Sequence, residues 1–266
     1  MRIGVVGGGF MGEALVSAWL DAGVAQPADV TVSDIAEARR EALSTQYGVG
    51  VTESNAEAAR GADVLVLAVK PQEFSNVASG LRGKLNAGAT VVSIMAGVRL
   101  ERIAGELGHD AAVRVMPNTA AFVRQAMSVW YASPSVPRDA LEAVATLLAA
   151  AGRELRVSDE GYLDMATALN GSGPGFVFVF LEALIDAGVH IGLRREMAAE
   201  LAVQTLLGSA TLAREMGRQP AELRDMVTSK GGTTAAGLEV LEQAGLRRTV
   251  RDAVAAAYER SKELSA

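Results

Sequence analysis

The chain has 266 residues, enough for one large or two ordinary domains, and half of them are hydrophobic, so a substantial core can be buried. A formal charge of −6 advertises no basic face for nucleic acid or an anionic membrane. Cysteine is absent and the only histidines are His109 and His190, which excludes disulfides, thiolate nucleophiles, Cys- or His-built metal centres and a Ser-His-Asp triad.

The N-terminal stretch "RIGVVGGGFMGEALVSAWLDAG" pairs a β-branched run over residues 2–6 with Gly7-x-Gly9-x-x-Gly12 and then helical spacing of Ala14, Leu15, Ala18 and Trp19. It lacks the basic n-region and long h-region of a leader, so a soluble cytoplasmic protein is expected. A strand feeding a glycine turn feeding a helix is the context of a dinucleotide fingerprint. Gly7 permits the tight turn, Gly9 lets a pyrophosphate approach the backbone, and Gly12 lets helix and strand pack closely. Phe10 and Met11 follow as candidate cofactor contacts at the helix N-terminus, where free N–H groups favour phosphate.

"DVTVSD" predicts a second strand ending at Asp34, 22 positions after Gly12. There a carboxylate either accepts bonds from the ribose hydroxyls of NAD or caps the next helix, and Arg39 and Arg40 one turn on are placed to reach an NADP phosphate. Apolar strands over 63–69 and 89–94, helices after Pro71 and over 100–107, and further strands near 127–131 and 154–157 continue the alternation. Strands this uniformly apolar are covered on both faces, as in a parallel sheet. Loops at the carboxyl ends of such strands hold ligands. The candidates there are Ala68, Val69, Lys70 and Pro71 in "AVKPQ", Ala96 and Gly97 in "SIMAGV", and Asn118 in "RVMPNTAAFV". Lys70 is either a solvated surface lysine or a cofactor contact.

From residue 158 helical periodicity takes over. Helices are expected over 162–169, then, after a break at "NGSGPG", over 176–192, 195–216, 220–227, 235–245 and from 246 to the end. The expected organisation is a Rossmann-like, mostly parallel α/β domain over 1–157 and an all-α domain over 158–266. The helix from Phe176 is apolar on nearly every side. Glu182 and Asp186 argue for a buried soluble helix over a membrane span, and its excess of apolar surface means that it either threads its own domain or packs against a second copy, the latter favoured.

"GGGFMG", "AVKPQ", "SIMAGV", "RVMPNTA", "TALNGSGPGF" and "VTSKGGTTAAGLEVLE", in this order, resemble pyrroline-5-carboxylate reductase over essentially the whole chain. The Gly-Gly-Thr-Thr box and the Gly-Ser-Gly-Pro turn are the most specific of these. The resemblance implies a Rossmann domain, a helical dimerisation domain, and NADPH or NADH as cofactor. It further implies hydride transfer to a five-membered cyclic imine, giving L-proline in the last step of its biosynthesis. A homodimer, or a higher assembly of dimers, and a small-molecule substrate complete the expectation; no metal, nucleic acid or membrane partner is expected. Ser229, Gly232, Thr233 and Thr234 are the implied substrate-binding residues, with Thr234 as the catalytic group whose hydroxyl approaches the ring nitrogen. Gly231 and Gly232 would let N–H groups at Gly232, Thr233 and Thr234 converge on a carboxylate. Glu160 matches a position near substrate but is equally a first-turn helix carboxylate. Asn55 matches a contact to the adenosine end, while Ser54 or Asn55 also reads as a helix cap.

The chain departs from the family's usual residues at Lys230 (commonly Pro), Asn170 (Ser), Ala120 (Pro), Phe10 (a polar residue) and Asp34 (a small polar residue). Asp34 leaves the choice between NADPH and NADH open. The β-hydroxyacid dehydrogenases share the architecture but carry a catalytic lysine on the helix after the glycine turn, where this chain reads "FVFVFLEALIDAGVH". A cofactor sensor without turnover, to which Lys230 speaks, and a reductase of the six-membered imine are the other readings.

Overall fold

The structure is a computed structural model that describes residues 1–265. Its elements run β1 (Ile3–Val6), α1 (Phe10–Asp21), β2 (Val30–Ser33), α2 (Glu37–Tyr47), β3 (Gly50–Thr52), α3 (Asn55–Ala59), β4 (Val64–Leu67) and α4 (Phe74–Leu81). They continue through β5 (Thr90–Ser93), α5 (Leu100–Leu107), β6 (Ala112–Met116), β7 (Ala126–Ala132), α6 (Arg138–Ala150), β8 (Gly152–Arg156) and α7 (Tyr162–Ala166). The rest is helical: α8 (Gly173–His190), α9 (Arg195–Met216), α10 (Pro220–Met226), α11 (Thr233–Gln243) and α12 (Leu246–Ser265). The expected α/β class with a helical C-terminal part is the observed one. The chain divides into two compact units, Met1–Ser172 together with the chain end from Ala257, and Gly173–Ala256.

In the first unit eight strands form one sheet in the order β3-β2-β1-β4-β5-β6-β7-β8. Every pairing is parallel except β6 with β7. The period of the strands decides the layering. Ile3, Val5, Val64 and Val66 join one apolar cluster with Leu15, Trp19 and Leu148, whereas Val6, Leu65 and Leu67 join another with Phe74, Leu81 and Ile103. Alternate side chains therefore leave opposite faces, and both faces are covered, which is why these strands read as unbroken apolar runs. Trp19 is 1 % exposed and donates its indole N–H to Leu147 O at 3.0 Å, so the largest core side chain leaves no orphan donor. Short β3, whose Gly50 and Thr52 carry no apolar signature, was not legible in the sequence.

One expectation needs correction. Residues 170–175 do not break the helix: helical backbone runs from Tyr162 to His190 through a π turn at Thr167–Gly171. Ser172 N–H donates to Thr167 O at 2.8 Å, a five-residue step, and Pro174 then falls in the first turn of α8, where its missing N–H costs little. The apolar helix does not thread its own domain. α8 has no buried residue, and Phe176, Phe178 and Phe180 are all exposed. The change of sequence period at residue 158 also precedes the division between compact units at 172/173. An ion cluster is the physical reason: buried Arg114 of β6 binds Glu160 and, on α7, Asp164, whose carboxylate also accepts from Ser261 and Ser265 at the end of α12.

In the second unit, α8 and α9 are joined by a short turn with Gly192 at φ +105°. They approach so closely that a Cβ on Gly188 would lie 2.9 Å from Ala198 Cβ. Among the described residues of 173–256, Ala198 and Ala202 are the only buried side chains.

Candidate active site

The loops that leave the carboxyl ends of the parallel strands are laced side by side. Gly7 N–H donates to Ser33 O (2.8 Å), Ala68 N–H to Val6 O (2.8 Å), Asp34 N–H to Thr52 O (3.1 Å) and Ile94 N–H to Leu67 O (3.1 Å). Chain order reverses at β1, which lies between β2 and β4, so the crevice of a doubly wound sheet opens above β1. Gly7, Gly9, Phe10, Met11, Gly12, Asp34, Asn55, Ala68, Val69, Lys70, Pro71, Ala96, Gly97 and Asn118 all lie in or beside these loops.

The glycines are distinguished by what a side chain would meet. Gly7 has φ +100°, and a Cβ there would sit 2.7 Å from Ala68 O; a Cβ on Gly12 would run into Gly7 O. These two fix the turn. At Gly9 a Cβ would meet nothing within 4 Å, so this position faces open space. Gly9 is also the N-cap of α1 and makes no side-chain cap bond, leaving the first-turn N–H groups without a capping oxygen. The residues fit a pyrophosphate: amides, a favourable helix dipole and room for a close approach meet at one point.

Side chains around the turn hold its shape. The Gly8 peptide is clamped at both ends, its N–H on Asp34 Oδ2 at 2.9 Å and its carbonyl on Arg39 Nε. Arg39 also pairs with Glu13, whose other oxygen accepts from Tyr47 OH at 3.0 Å. Burial first, and the bond to Glu13 second, raise the Tyr47 phenol above its ordinary range. Asp34 does not cap α2, whose N-cap is Ala36; instead its Oδ1 accepts from Ala36 N–H at 2.9 Å. Ser54 is the cap of α3, accepting from Glu57 N–H, which leaves Asn55 to accept from Ser33 Oγ at 2.8 Å.

Other candidates are occupied by structural duties. Gly97, at φ +74°, lies against α12, where a Cβ would stand 2.6 Å from Leu264 O. Asn118 accepts from Ala120 N–H and donates to Asn170 Oδ1 at 2.9 Å, and Asn170 in turn donates to Met127 O (2.8 Å) and Met116 O (3.3 Å). Asn170 thus pins the π turn to β6 and β7, a role the sequence did not announce. Glu160 accepts from Arg114 Nη1 at 3.1 Å and from Leu100 N–H at 2.9 Å, so one oxygen both neutralises a buried cation and caps α5. Arg114, 3 % exposed, was the missed residue here; a charge inside the apolar run "AAVRVM" was its signal.

In the second unit, α11 begins two residues earlier than expected, at Thr233. Gly231 has φ +71°, and Gly232 is an N-cap without a side-chain bond. Gly232 N–H is not free for a ligand, because it donates to Ser229 O at 3.0 Å; a Cβ on Gly232 would collide with Ser229 Oγ. The first helical bond is Ala236 N–H to Gly232 O at 3.2 Å, so the N–H groups of Thr233, Thr234 and Ala235 have no intrahelical acceptor. Uncommitted N–H groups at a helix start favour an anion.

Residues 160–264 match the family described as pyrroline-5-carboxylate reductase dimerisation, and residues 2–97 the family described as NADP oxidoreductase coenzyme F420-dependent. The chain is 42 % identical over 264 residues to the pyrroline-5-carboxylate reductase of Synechocystis, covering 99 % of this chain and 98 % of that one. Among solved structures it resembles a pyrroline-5-carboxylate reductase from Coxiella burnetii, with 35 % identity, coverage of 100 % and 98 %, and a TM-score of 0.93. It also resembles a pyrroline carboxylate reductase from Plasmodium falciparum with NADP bound, with 30 % identity, coverage of 100 % and 98 %, and a TM-score of 0.91.

Proposed function

The chain belongs to the pyrroline-5-carboxylate reductase family, and from that premise we propose that it reduces 1-pyrroline-5-carboxylate to L-proline with NAD(P)H. The carrying observation is the pair of uncapped helix starts behind glycine turns, α1 for the dinucleotide and α11 for a carboxylate.

When bound, the reduced nicotinamide supplies the hydride. The chain's own groups do the rest. First-turn amides of α1 receive the pyrophosphate, Gly9 admits it to the backbone, and the loops of residues 68–71 and 96–97 with Asn118 border the crevice in which the cofactor lies. Amides of Thr233, Thr234 and Ala235 receive the substrate carboxylate, with Ser229 adding a hydroxyl beside them. Thr234 places its hydroxyl against the ring nitrogen, donating a hydrogen bond that polarises C=N while solvent supplies the proton. An alcohol is a weak acid, so its role is positioning and polarisation rather than full proton donation. Nothing in this scheme calls for histidine, cysteine or a metal. Glu160, held by Arg114 and α5, shapes the first unit, with no assigned contact to substrate.

In this reading the helical part, residues 158–266, serves as the dimerisation and substrate domain, and residues 1–157 as the dinucleotide domain. A homodimer is supported by α8, whose aromatic and β-branched side chains are exposed in the single chain while 173–256 buries only Ala198 and Ala202 among the described residues. By length and composition Tyr162–His190 would also cross a bilayer; the dimerisation match over 160–264 supports the reading that this apolar face packs on a second copy of a cytoplasmic enzyme.

Steady-state rates test the assignment of Thr234. Thr234→Ala is expected to lower kcat/KM on the order of 10²-fold, and Thr234→Ser to recover most of it. Equal kcat/KM for wild type and Thr234→Ala would remove Thr234 from the chemistry.

A further inference from the structure

The end of β2 carries a charge arrangement that bears on which dinucleotide is taken. Asp34 has both oxygens anchored, Oδ2 on Gly8 N–H at 2.9 Å and Oδ1 on Ala36 N–H at 2.9 Å. The carboxylate therefore cannot swing away without losing the bond that shapes the glycine turn. A carboxylate has about four acceptor positions, so each oxygen keeps capacity for a further donor, which a vicinal ribose diol supplies.

The neighbouring cations are turned toward other partners. Arg39 is spent on Gly8 O and Glu13. Arg40 donates to Asp34 O at 2.8 Å and Ile35 O at 3.1 Å, with Glu53 3.9 Å away. Asp34, Glu13 and Glu53 thus outnumber the two arginines around this strand end. A phosphate ester brought to it would face an anchored anion, with Arg39 already paired and Arg40 Nη1 turned onto backbone carbonyls, and a hydroxyl would find an acceptor. Beside Asp34, Ile35 is 93 % exposed and offers a flat apolar contact of the kind an adenine ring covers.

We infer that Asp34 makes this chain select the dinucleotide with a free adenosine 2′-hydroxyl, NADH, over its 2′-phosphorylated counterpart, NADPH. The inference rests on the dinucleotide-binding half of the proposed function and on no step of the chemistry.

The test is binding, read by nicotinamide fluorescence on the purified full chain, with 5′-AMP and 2′,5′-ADP as competing fragments. Wild type is expected to bind NADH roughly 10–100-fold more tightly than NADPH, the range that one unscreened like-charge contact near a surface gives. Asp34→Ser is expected to bring the two affinities within about threefold of each other. Asp34→Asn, which keeps an acceptor for Gly8 N–H but drops the charge, is expected to narrow the ratio while weakening NADH less than Asp34→Ser does. Equal or tighter NADPH binding by the wild type, or a ratio unchanged in both variants, overturns the inference. Should either variant fail to fold, the wild-type ratio and the two fragments decide alone. A protein that selects NADH yet does not reduce the imine would defeat the proposed activity and leave this inference standing; reduction of the imine with NADPH bound more tightly would do the reverse.

Discussion

Arg114→Ala probes the cluster that ties β6 to α5, α7 and the end of α12. The guanidinium is 3 % exposed and Asp164 is 4 % exposed. Asp164 Oδ1 accepts from Arg114 Nη2 at 3.1 Å, Ser265 Oγ at 2.8 Å and Ser261 Oγ at 3.3 Å. Glu160, 24 % exposed at its side chain, can turn to water when the cation is removed; Asp164 cannot. Breaking a buried pair from one side costs about 3–5 kcal/mol, and the two hydroxyls that remain on Asp164 favour the lower end. For a chain of this size that is a fall in Tm of about 6–20 °C, at about 2–4 °C per kcal/mol. Thermal unfolding by circular dichroism, at matched protein concentration because assembly also stabilises, measures it. The double variant Arg114→Met with Asp164→Leu removes both charges and is expected to regain most of the loss. A Tm for Arg114→Ala within about 2 °C of wild type, or a double variant no better than the single, would refute the reading of this cluster as a buried ion pair that fastens the chain end.

Two glycines in one motif are expected to behave differently. Gly9→Ala meets open space, so it should leave Tm nearly unchanged while weakening dinucleotide binding by about tenfold or more. Gly12→Ala puts a methyl into Gly7 O and should lower both Tm and affinity; paired melting curves and cofactor titrations separate the cases. Asn170→Ala strips the bonds that hold the π turn to Met116, Asn118 and Met127, and urea unfolding should show a loss of about 1–3 kcal/mol.

What could be read from the sequence was what local patterning encodes. The strand–glycine–helix context placed Gly7 and Gly12, because a turn that forbids Cβ atoms there leaves its mark in residue type, and Gly9 through its spacing between them. Uniformly apolar strands announced a sheet covered on both faces. Less legible was any side chain whose role depends on a distant partner. Asp34 reads in the sequence as a ribose contact or a helix cap; its bond to Gly8 N–H was not legible, because that pairing exists only once β1 and β2 lie together. Glu160 was weighed between substrate and helix dipole, and its partner Arg114 lies 46 positions earlier. Residues 170–175, dense in glycine with one proline, read as a break, yet a π turn absorbs the extra step and sets Pro174 where helices accept it. The aromatic stretch of α8 signals an apolar environment in the sequence, and within one chain its side chains stand exposed.

Reduced nicotinamide carrying deuterium at the transferable C4 position, mixed with pyrroline-5-carboxylate and the purified enzyme, tests the central claim most directly. The expected result is L-proline with one deuterium on the ring carbon formerly double-bonded to nitrogen, formed mole for mole with oxidised cofactor. Cofactor that binds while no labelled proline forms, or label that appears in solvent, would contradict it.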